Sequence, residues 1–279
     1  MMNKELLQKS GLKRNTIDKF YTKPYIVELC CDYIYDNLKI YDDELIIEPS
    51  AGNGAFINGI KLFTDNYKFY DIKPDHKDII KQDFLKLDYK QLQYKFTKIH
   101  IIGNPPFGRQ SSLAMQFIKY ACHFCDSISF ILPKSFKKDS LKKTFPLNYH
   151  LIFEKDLPEN SFLMNNVECD VPCIFQIWEK KETNRHVELT LDPINFKFVT
   201  INDKPDISFR RVGVNAGDIS IDYKSKSEQS HYFIKFTNNL KLQLNLNKLK
   251  TLQFDFNNTV GPKSISKQEL IKRFNKLLN

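Results

Sequence analysis

The chain has 279 residues and a mass of 32.9 kDa, with 42% hydrophobic residues, 27% charged residues and a formal net charge of +9. This length and balance are typical of a globular protein with a sizeable core, and no apolar run approaches the ~20 residues of a membrane span. The positive charge argues against an acidic disordered tail or a calcium-buffering module; it indicates either a polyanion-binding surface or the lysine-rich composition of an A/T-rich genome.

Six cysteines lie along the chain without the pattern of a disulfide framework: Cys30, Cys31, Cys122, Cys125, Cys169 and Cys173. A chain of this length builds its core without cross-links, so we expect free thiols and an intracellular location, either cytoplasmic or at a site of viral or phage replication. The polar N-terminal segment MMNKELLQKSGLKRN lacks the apolar stretch of a signal peptide. Cys122 and Cys125 suggest a zinc site, but Cys169 and Cys173 have the wrong spacing for a zinc ribbon, and we expect no metal.

The predicted elements, taken in chain order, alternate between strands and helices. Residues 1–19 form a polar N-terminal arm, and residues 24–38 repeat apolar side chains at helical spacing. Further helices are predicted over residues 55–63 and 111–124. The predicted strands lie within residues 44–48, 67–72, 79–85, 98–103, 127–133, 150–157 and 170–180. This alternation indicates βαβ units and a mostly parallel, doubly wound sheet, so we place a core domain at residues 20–182.

The rhythm changes after residue 182. Short strand-like runs, INFKFVTI, DISFRRV, HYFIKF and LQFDF, stand between Asn, Asp, Gly and Pro residues. They predict a small, mainly β appendage over residues 183–279. A basic helix over 266–278 closes the chain, and Ser266 with Glu269 has the sequence of a capping box at its start.

Only nine glycines occur, and two of them, Gly52 and Gly54, follow the first predicted strand in the run EPSAGNGAF. They permit a tight turn and a close backbone approach to a ligand ahead of a helix, an arrangement suited to a nucleotide-like cofactor. The run is neither a dinucleotide fingerprint nor a Walker loop. Glu48, at its start, would repel a pyrophosphate and suits a cationic cofactor.

Acidic residues follow the next two strands. Asp71 ends the second strand, where a carboxylate can accept both hydroxyls of a ribose. Asp83 follows the third, and it could accept from an adenine amine while Phe84 packs on the ring. The alternative for both carboxylates is a solvated position in a loop.

The run GNPPFG, residues 103–108, follows the fourth strand. Its two prolines remove backbone donors and leave carbonyl acceptors, Asn104 adds a side-chain carbonyl, and Phe107 adds an aromatic face. This combination predicts a pocket for a planar base with an exocyclic amine. Acceptors that hold the hydrogens of such an amine return electron density to its nitrogen, which favours methyl transfer. The alternative is a rigid structural turn.

Together these runs resemble the S-adenosylmethionine-dependent N6-adenine methyltransferases, in the motif order of the gamma arrangement. FYTKP at 20–24 is similar to the aromatic-Tyr-Thr-Pro cofactor segment, with Lys23 inserted, and ILPKSF and VPCIFQIW are similar to later strands of the family. The resemblance spans about residues 18–180. It implies a Rossmann-like class I methyltransferase fold with a mostly parallel seven-stranded sheet, and a direct transfer without metal or covalent enzyme intermediate.

The resemblance also implies residue roles. The catalytic residues are Asn104, Pro105, Pro106 and Phe107. The residues that bind S-adenosyl-L-methionine are Tyr21, Thr22, Glu48, Pro49, Ser50, Ala51, Gly52, Asn53, Gly54, Phe56, Asp71, Ile72, Asp83 and Phe84. In duplex DNA, the favoured substrate, the target adenine would be flipped out and stacked on Phe107.

Three alternatives remain open at the level of the sequence. RNA could be the substrate, because NPPF also occurs in RNA adenine methyltransferases. A protein-glutamine methyltransferase would more often carry Tyr at the position of Phe107. A catalytically inactive scaffold is the third, although the motif residues are intact.

The appendage offers candidate nucleic-acid contacts. The segments at 209–218 and 258–267 resemble sequences that follow the core in some phage- and large-virus-like adenine methyltransferases. Arg210, Arg211, Lys263 and Lys267, together with Arg109 of the core, could contact phosphates, and Tyr232 or Phe233 could stack on a base. The alternative is a β cap with a solvated basic face.

Overall fold

The structure is a computed structural model that describes residues 20–186, 189–237, 242–254, 256, 258 and 262–278. The chain divides into two compact units, residues 1–186 and 187–279. The predicted N-terminal arm, residues 1–19, lies outside the described residues. No helix in the described ranges is both long enough and apolar enough to cross a membrane.

The described part of the first unit, residues 20–186, contains ten strands and five helices. The strands are β1 Tyr21–Thr22, β2 Leu45–Glu48, β3 Tyr67–Asp71, β4 Ile80–Lys81, β5 Ile99–Gly103, β6 Ser127–Pro133, β7 Tyr149–Asp156, β8 Phe162–Met164, β9 Val167–Cys169 and β10 Cys173–Lys180. The helices are α1 Pro24–Asn37, α2 Ile57–Ile60, α3 Lys90–Lys95, α4 Ser112–Ala121 and α5 Asp139–Lys142. Short 3₁₀ turns cover Phe84–Lys86, Arg109–Ser111 and Lys134–Lys137.

Seven strands form the central sheet in the order β4-β3-β2-β5-β6-β10-β7. All are parallel except β10, which runs antiparallel to both of its neighbours, β6 and β7. This is the strand order of the Rossmann-like class I methyltransferase fold, so the predicted fold class is confirmed. The carboxyl ends of β2, β3 and β5 meet at one edge, where loops from a parallel sheet form ligand sites.

The sheet is covered on both faces, which explains why its central strands β2, β5 and β6 are buried along their whole length and are mostly apolar. Ile26, Cys30 and Ile34 of α1 share one core cluster with Ile46 of β2. On the other face, Phe117 and Ile118 of α4 lie in a second cluster. Pro24 lies in the first turn of α1, where the fixed φ of proline is compatible with the start of a helix.

Several boundaries differ from the sequence prediction. The helix expected over 55–63 is only the single turn α2, and the strand expected from residue 170 begins at Cys173. A small antiparallel sheet, β1-β8-β9, was not predicted. Its strands have two or three residues each, too few to show an alternating pattern, and they form because Tyr21 and Thr22 pair with Leu163 and Phe162.

The second unit contains the antiparallel sheet β11-β14-β12-β13 and two helices. Its elements are β11 Phe196–Val199, a 3₁₀ turn Ile201–Asp203, β12 Ile207–Arg210, β13 Ile219–Ser220, β14 His231–Phe236, α6 Leu242–Leu249 and α7 Lys267–Leu278. Phe209 and Ile234 of the sheet pack with Leu246, Ile271 and Phe274 of the helices. The separate antiparallel sheet and the closing helix therefore match the predicted appendage, although in its described part the helices contain more residues than the strands.

The start of α7 has the predicted capping box. The Ser266 hydroxyl accepts from the Glu269 amide at 3.2 Å, and the Ser266 amide donates to the Glu269 carboxylate at 2.7 Å. Two other expectations for this unit are wrong or incomplete. The described part of the run LQFDF, Leu252–Phe254 with Phe256, is not a strand, and α6 was not predicted. Leucines alternate with polar residues from 240 to 246, a pattern typical of a strand.

Candidate active site

One cavity of about 760 Å³ opens at the carboxyl edge of the sheet. It is lined by every predicted cofactor-binding and catalytic residue except Gly54, although these residues come from segments up to 86 positions apart. Six lining residues were not predicted: Phe20, Ala55, Lys73, Leu85, Leu113 and Phe117. Phe20 alone had a sequence signal, because it is the first residue of the FYTKP segment.

The glycine-rich loop needs its glycines for two different reasons. Gly52 has φ +53°, and a Cβ there would lie 3.3 Å from the Tyr21 ring, so the backbone can approach the cavity only without a side chain. Gly54 has φ +84° and its amide donates to the Ala51 carbonyl at 2.7 Å. Gly54 therefore closes the turn and does not line the cavity.

Glu48 is a buried carboxyl with an open acceptor. Its side chain is 2% exposed, and Oε2 has no hydrogen-bond partner among the described residues. Burial raises the pKa of Glu48 to about 8, and the negative charge of Asp71 adds to the shift. The end of β5 lies close to the Glu48 side chain because residue 103 is a glycine. Gly103 has φ +146°, and a Cβ at this position would lie 3.1 Å from Glu48 Cγ. Such a carboxyl is suited to a cationic ligand.

Asp71 ends β3 and is held by two backbone donors. Its Oδ2 accepts from the Gly52 amide at 2.8 Å and its Oδ1 from the Lys73 amide at 2.7 Å. These bonds fix the orientation of the carboxylate. A carboxylate offers about four acceptor positions, so Asp71 keeps capacity for a pair of hydroxyl donors.

Asp83 and Phe84 line the cavity and also make contacts that stabilise the fold. Asp83 caps the following 3₁₀ turn by accepting from the Leu85 amide at 3.0 Å. Phe84 is only 1% exposed and stacks on Phe117 with ring centroids 5.3 Å apart. Most of the Phe84 ring therefore belongs to the core, and little of it is available to a ligand.

The side-chain amide of Asn104 has one satisfied end and one open end. Its Nδ2 donates to the Phe20 carbonyl at 3.3 Å and to the Thr22 hydroxyl at 3.2 Å. Its Oδ1 is buried and has no partner among the described residues. The Ser50 hydroxyl donates to the Asn104 backbone carbonyl at 3.1 Å. Asn104 Oδ1 is therefore a fixed hydrogen-bond acceptor beside the cavity, and it is available to a donor from a ligand.

Phe107 presents a half-buried ring to the same cavity. The ring lies nearly parallel to Phe20, with centroids 6.4 Å apart and planes 26° apart. The Phe107 carbonyl accepts from the amides of Leu113 and Ala114 at 3.1 and 3.3 Å, which ties the loop to α4. An acceptor and an aromatic face therefore occur together, as a planar amine-bearing base requires.

The candidate phosphate contacts have different surroundings. Arg109 is exposed directly after the NPPF loop, and Lys263 is exposed in the second unit. Arg210 donates from Nε to the Val212 carbonyl at 3.2 Å, and its guanidinium lies against Gly213, so it supports a local turn. Phe233 is 4% exposed, which contradicts the expectation that it could stack on a base.

The zinc interpretation gains nothing from the structure. Cys125 is buried beside the Tyr149 hydroxyl, 3.5 Å from Sγ. Within the described ranges, no three His, Cys, Asp or Glu side chains are grouped so that they could hold a metal ion.

Residues 59–184 match the model of the EDM2 methyltransferase-like domain, which covers somewhat less than half of the chain. No curated protein matches the sequence.

Solved structures with a similar backbone include an rRNA methylase from Streptococcus thermophilus, at 13% identity and a TM-score of 0.37, covering 57% of this chain and 96% of that one. A dimethyladenosine transferase from Plasmodium falciparum has 15% identity and a TM-score of 0.41, with 59% and 64% covered. The 23S rRNA methyltransferase ErmE has 11% identity and a TM-score of 0.43, with 60% and 71% covered. Similarity at this level does not indicate a substrate, and the fold is assigned from the strand order of the central sheet.

S-adenosylmethionine is the cofactor of the class I methyltransferase fold, and the cavity fits it. The buried acceptor of Glu48 suits a group with positive charge, and the remaining acceptor capacity of Asp71 suits the ribose hydroxyls. Gly52 leaves the room that a close ligand needs. The open Oδ1 of Asn104 is left for a second molecule that donates a hydrogen bond.

Proposed function

We propose that the protein transfers a methyl group from S-adenosylmethionine to the exocyclic N6 amine of adenine in DNA. One observation carries the proposal: a buried amide oxygen of Asn104 has no hydrogen-bond partner among the described residues and lies at a cavity that Phe107 also lines. Because an unpaired buried acceptor is costly, a donor from the substrate is the natural partner for this oxygen. The choice of adenine and of DNA rests on the resemblance of the NPPF and EPSAGNG segments, in their order, to N6-adenine methyltransferases.

The cofactor supplies an electrophilic methyl group on a positively charged sulfur. The protein's part is to orient and activate the amine. Asn104 Oδ1 accepts one hydrogen of the amine, which shifts electron density back to nitrogen and directs its lone pair to the cofactor. Phe20 and Thr22 prevent rotation of the Asn104 amide, because a rotated amide would lose both hydrogen bonds of Nδ2.

Phe107 has the task of holding the base. Its ring supplies a face on which a purine can stack, a contact worth ~1–3 kcal/mol per base. In duplex DNA the target nucleotide has to leave the helix before it can reach a cavity of this depth, and stacking offsets part of the unpairing cost.

The test is methyl transfer by wild-type protein and by Asn104→Ala. Duplex DNA, single-stranded DNA and structured RNA are incubated separately with labelled cofactor, and their nucleosides are identified by mass spectrometry. We expect N6-methyl-2′-deoxyadenosine from DNA, with a loss of about 10²–10³-fold for Asn104→Ala because a placed acceptor is removed. Calorimetry should show cofactor affinity unchanged within about threefold. Asn37→Ala is the matched control, since that exposed amide only donates to the Tyr33 carbonyl.

Three outcomes would contradict the proposal. Modified adenosine in RNA alone would assign the enzyme to RNA. Methylglutamine in a protein substrate, without modified nucleosides, would assign it to the protein-glutamine class. Failure to bind the cofactor would indicate an inactive scaffold.

A further inference from the structure

Most of the net positive charge of the chain lies in the second unit. Residues 20–186 contain 22 basic and 22 acidic residues and are neutral overall. Residues 187–279 contain 15 basic and 9 acidic residues, a net +6 of the chain's +9. Because a nucleic acid is bound mainly through its phosphates, the second unit is where a polyanion should be attracted.

Four residues of this unit form a cation–aromatic cluster: Arg211, Lys267, Tyr232 and Phe198. The Arg211 guanidinium lies 5.5 Å from the Tyr232 ring centroid. Lys267 Nζ lies 4.9 Å from the Phe198 ring and 6.0 Å from the Tyr232 ring. The two rings meet edge to face with centroids 5.5 Å apart. Two cations therefore share one aromatic ring.

Backbone pairing brings these distant residues together. The segment after β12 runs antiparallel to the segment before α7, with a bridge between Val212 and Ser264. The Ile265 amide donates to the Arg211 carbonyl at 2.8 Å, and the Tyr232 hydroxyl donates to the Ile265 carbonyl at 3.3 Å. The cluster is thus built on a hydrogen-bonded frame.

The cluster lacks a counter-charge. In the described part of the chain, neither Arg211 nor Lys267 forms an ion pair with a carboxylate. Arg211 donates to the Gln229 carbonyl at 2.7 Å, which leaves other guanidinium donors available. The nearby Glu269 carboxylate is engaged with the Ser266 amide and the Asn258 side chain.

The charge of Lys267 does not stabilise the helix in which it lies. Lys267 is the first residue of α7, where the helix dipole disfavours a cation. Lys267 and Arg211 therefore both lie against the Tyr232 ring, and among the described residues neither has the anionic partner that a cation prefers. The successive phosphates of an external polyanion would supply a partner to each.

We propose that the cation–aromatic cluster binds the phosphodiester backbone of the nucleic-acid substrate. The identity of this partner rests on the proposed function, whereas the affinity of the cluster for a polyanion does not. The cations lie over the Tyr232 and Phe198 rings, so the cluster binds phosphate and does not stack bases. It holds the polymer independently of its sequence, because phosphate contacts position a nucleic acid without reading it.

The experiment compares two double variants of the full chain that remove the same charge. Arg211→Gln with Lys267→Gln removes the cluster; Arg273→Gln with Lys276→Gln removes two exposed cations further along α7. Binding of a fluorescein-labelled DNA duplex is followed by anisotropy between 50 and 300 mM salt. We expect the cluster variant to bind about 10-fold more weakly at 100 mM salt. Its slope of log affinity against log salt should fall by about 1.8, near 0.9 for each lost phosphate contact.

The control variant should keep its affinity within about threefold, and both variants should bind cofactor like the wild type. Equal losses in both variants would show that the charge acts diffusely and would overturn the assignment, as would an unchanged affinity in the cluster variant. Competition by polyglutamate as strong as by unlabelled duplex would assign the cluster to an acidic protein instead. A duplex that is bound through the cluster but never methylated would leave the cluster assignment intact and remove only the proposed function.

Discussion

At the scale of single residues, Glu48 links the cavity to pH. Its pKa is raised to about 8 by burial and by Asp71, so the free protein holds a proton on this carboxyl at pH 7. A positively charged ligand nearby favours the ionised form and lowers the pKa again. Cofactor binding at pH 7 should therefore release this proton.

We predict that calorimetry at pH 7, in buffers of different ionisation enthalpy, detects proton release on binding of S-adenosylmethionine. The affinity should rise between pH 6 and pH 7.5, because less work is needed to remove the proton as the pH approaches 8. Glu48→Gln cannot ionise, so it should bind more weakly and show neither effect. Equal proton release by the variant and the wild type would show that another group is responsible.

At the scale of elements, a buried network joins three strands of the central sheet at the end opposite the cavity. His100 of β5 lies between Glu44, which precedes β2, and Ser127 of β6. Its Nε2 is 2.9 Å from the Glu44 carboxylate and its Nδ1 is 2.7 Å from the Ser127 hydroxyl. Burial lowers the pKa of His100 below its ordinary 6.5, although Glu44 opposes the shift. A neutral ring donates to Glu44 and accepts from Ser127.

Removal of the hydroxyl should destabilise the protein. Ser127→Ala leaves the Nδ1 acceptor of His100 buried and unpaired, at a cost of ~1–3 kcal/mol in the free energy of unfolding. Urea denaturation at pH 7.5 measures this change. Ser129→Ala is the matched control in the same strand. The buried Ser129 hydroxyl has no hydrogen-bond partner in the part of the chain that the structure describes, so its loss should cost less. A larger cost for Ser129→Ala would contradict the account.

The same network makes stability depend on pH. The unfolded chain protonates His100 near its ordinary pKa of 6.5, whereas the folded protein protonates it only at lower pH. The contribution of His100 is therefore complete above pH 6.5 and is lost as the pH falls below it. We expect His100→Gln to weaken the fall in unfolding free energy between pH 7 and pH 5.5. An identical fall in variant and wild type would assign the effect to other groups.

At the scale of the whole molecule, the two units should respond differently to salt. The cavity lies within residues 20–186, which carry no net charge, and two of the three carboxylates that line it, Glu48 and Asp71, are buried. The net charge of residues 187–279 is +6. Added salt screens exposed charges far more than buried ones. Between 50 and 300 mM salt, we expect the cofactor affinity to change by less than about threefold in calorimetry. Anisotropy should show the affinity for duplex DNA falling by more than about tenfold.

The salt measurement also separates two origins of the net charge. A steep salt dependence for DNA beside a flat one for cofactor would show that the charge serves polymer binding. Weak binding of DNA with little salt dependence would indicate that the lysine content is only compositional.

Much of the central fold could be predicted from the sequence because its signals are local. Strand runs such as KIHIIG are mostly apolar, since both faces of the sheet are covered, and the loops after several strands carry Gly, Pro or Asp. Asp71, Gly52 and Asn104 are placed by the strands that precede them. Parallel strands then bring all three to one edge, as the cavity shows.

Other features depended on partners that are distant in the chain. The sequence offered Arg210 and Arg211 as equivalent phosphate contacts, yet Arg210 bonds within its own turn and Arg211 lies over Tyr232. Helix α6 has the leucine alternation of a strand, but burial of Leu246 and Leu249 against the rest of its unit stabilises a helix. Helix propensity and the spacing of apolar residues are weak predictors of secondary structure where tertiary packing supplies most of the stabilising energy.

The sequence by itself determined the succession of strands and helices along most of the core domain, the glycine-rich turn and the presence of an acceptor beside an aromatic ring, because each depends on neighbouring residues. Only the tertiary structure decided which end of the Asn104 amide is open. That end is open because Phe20 and Thr22, more than 80 positions away, occupy the other. The tertiary structure likewise decided that Arg211 and Lys267 share one ring, since backbone pairing between two distant segments brings them together.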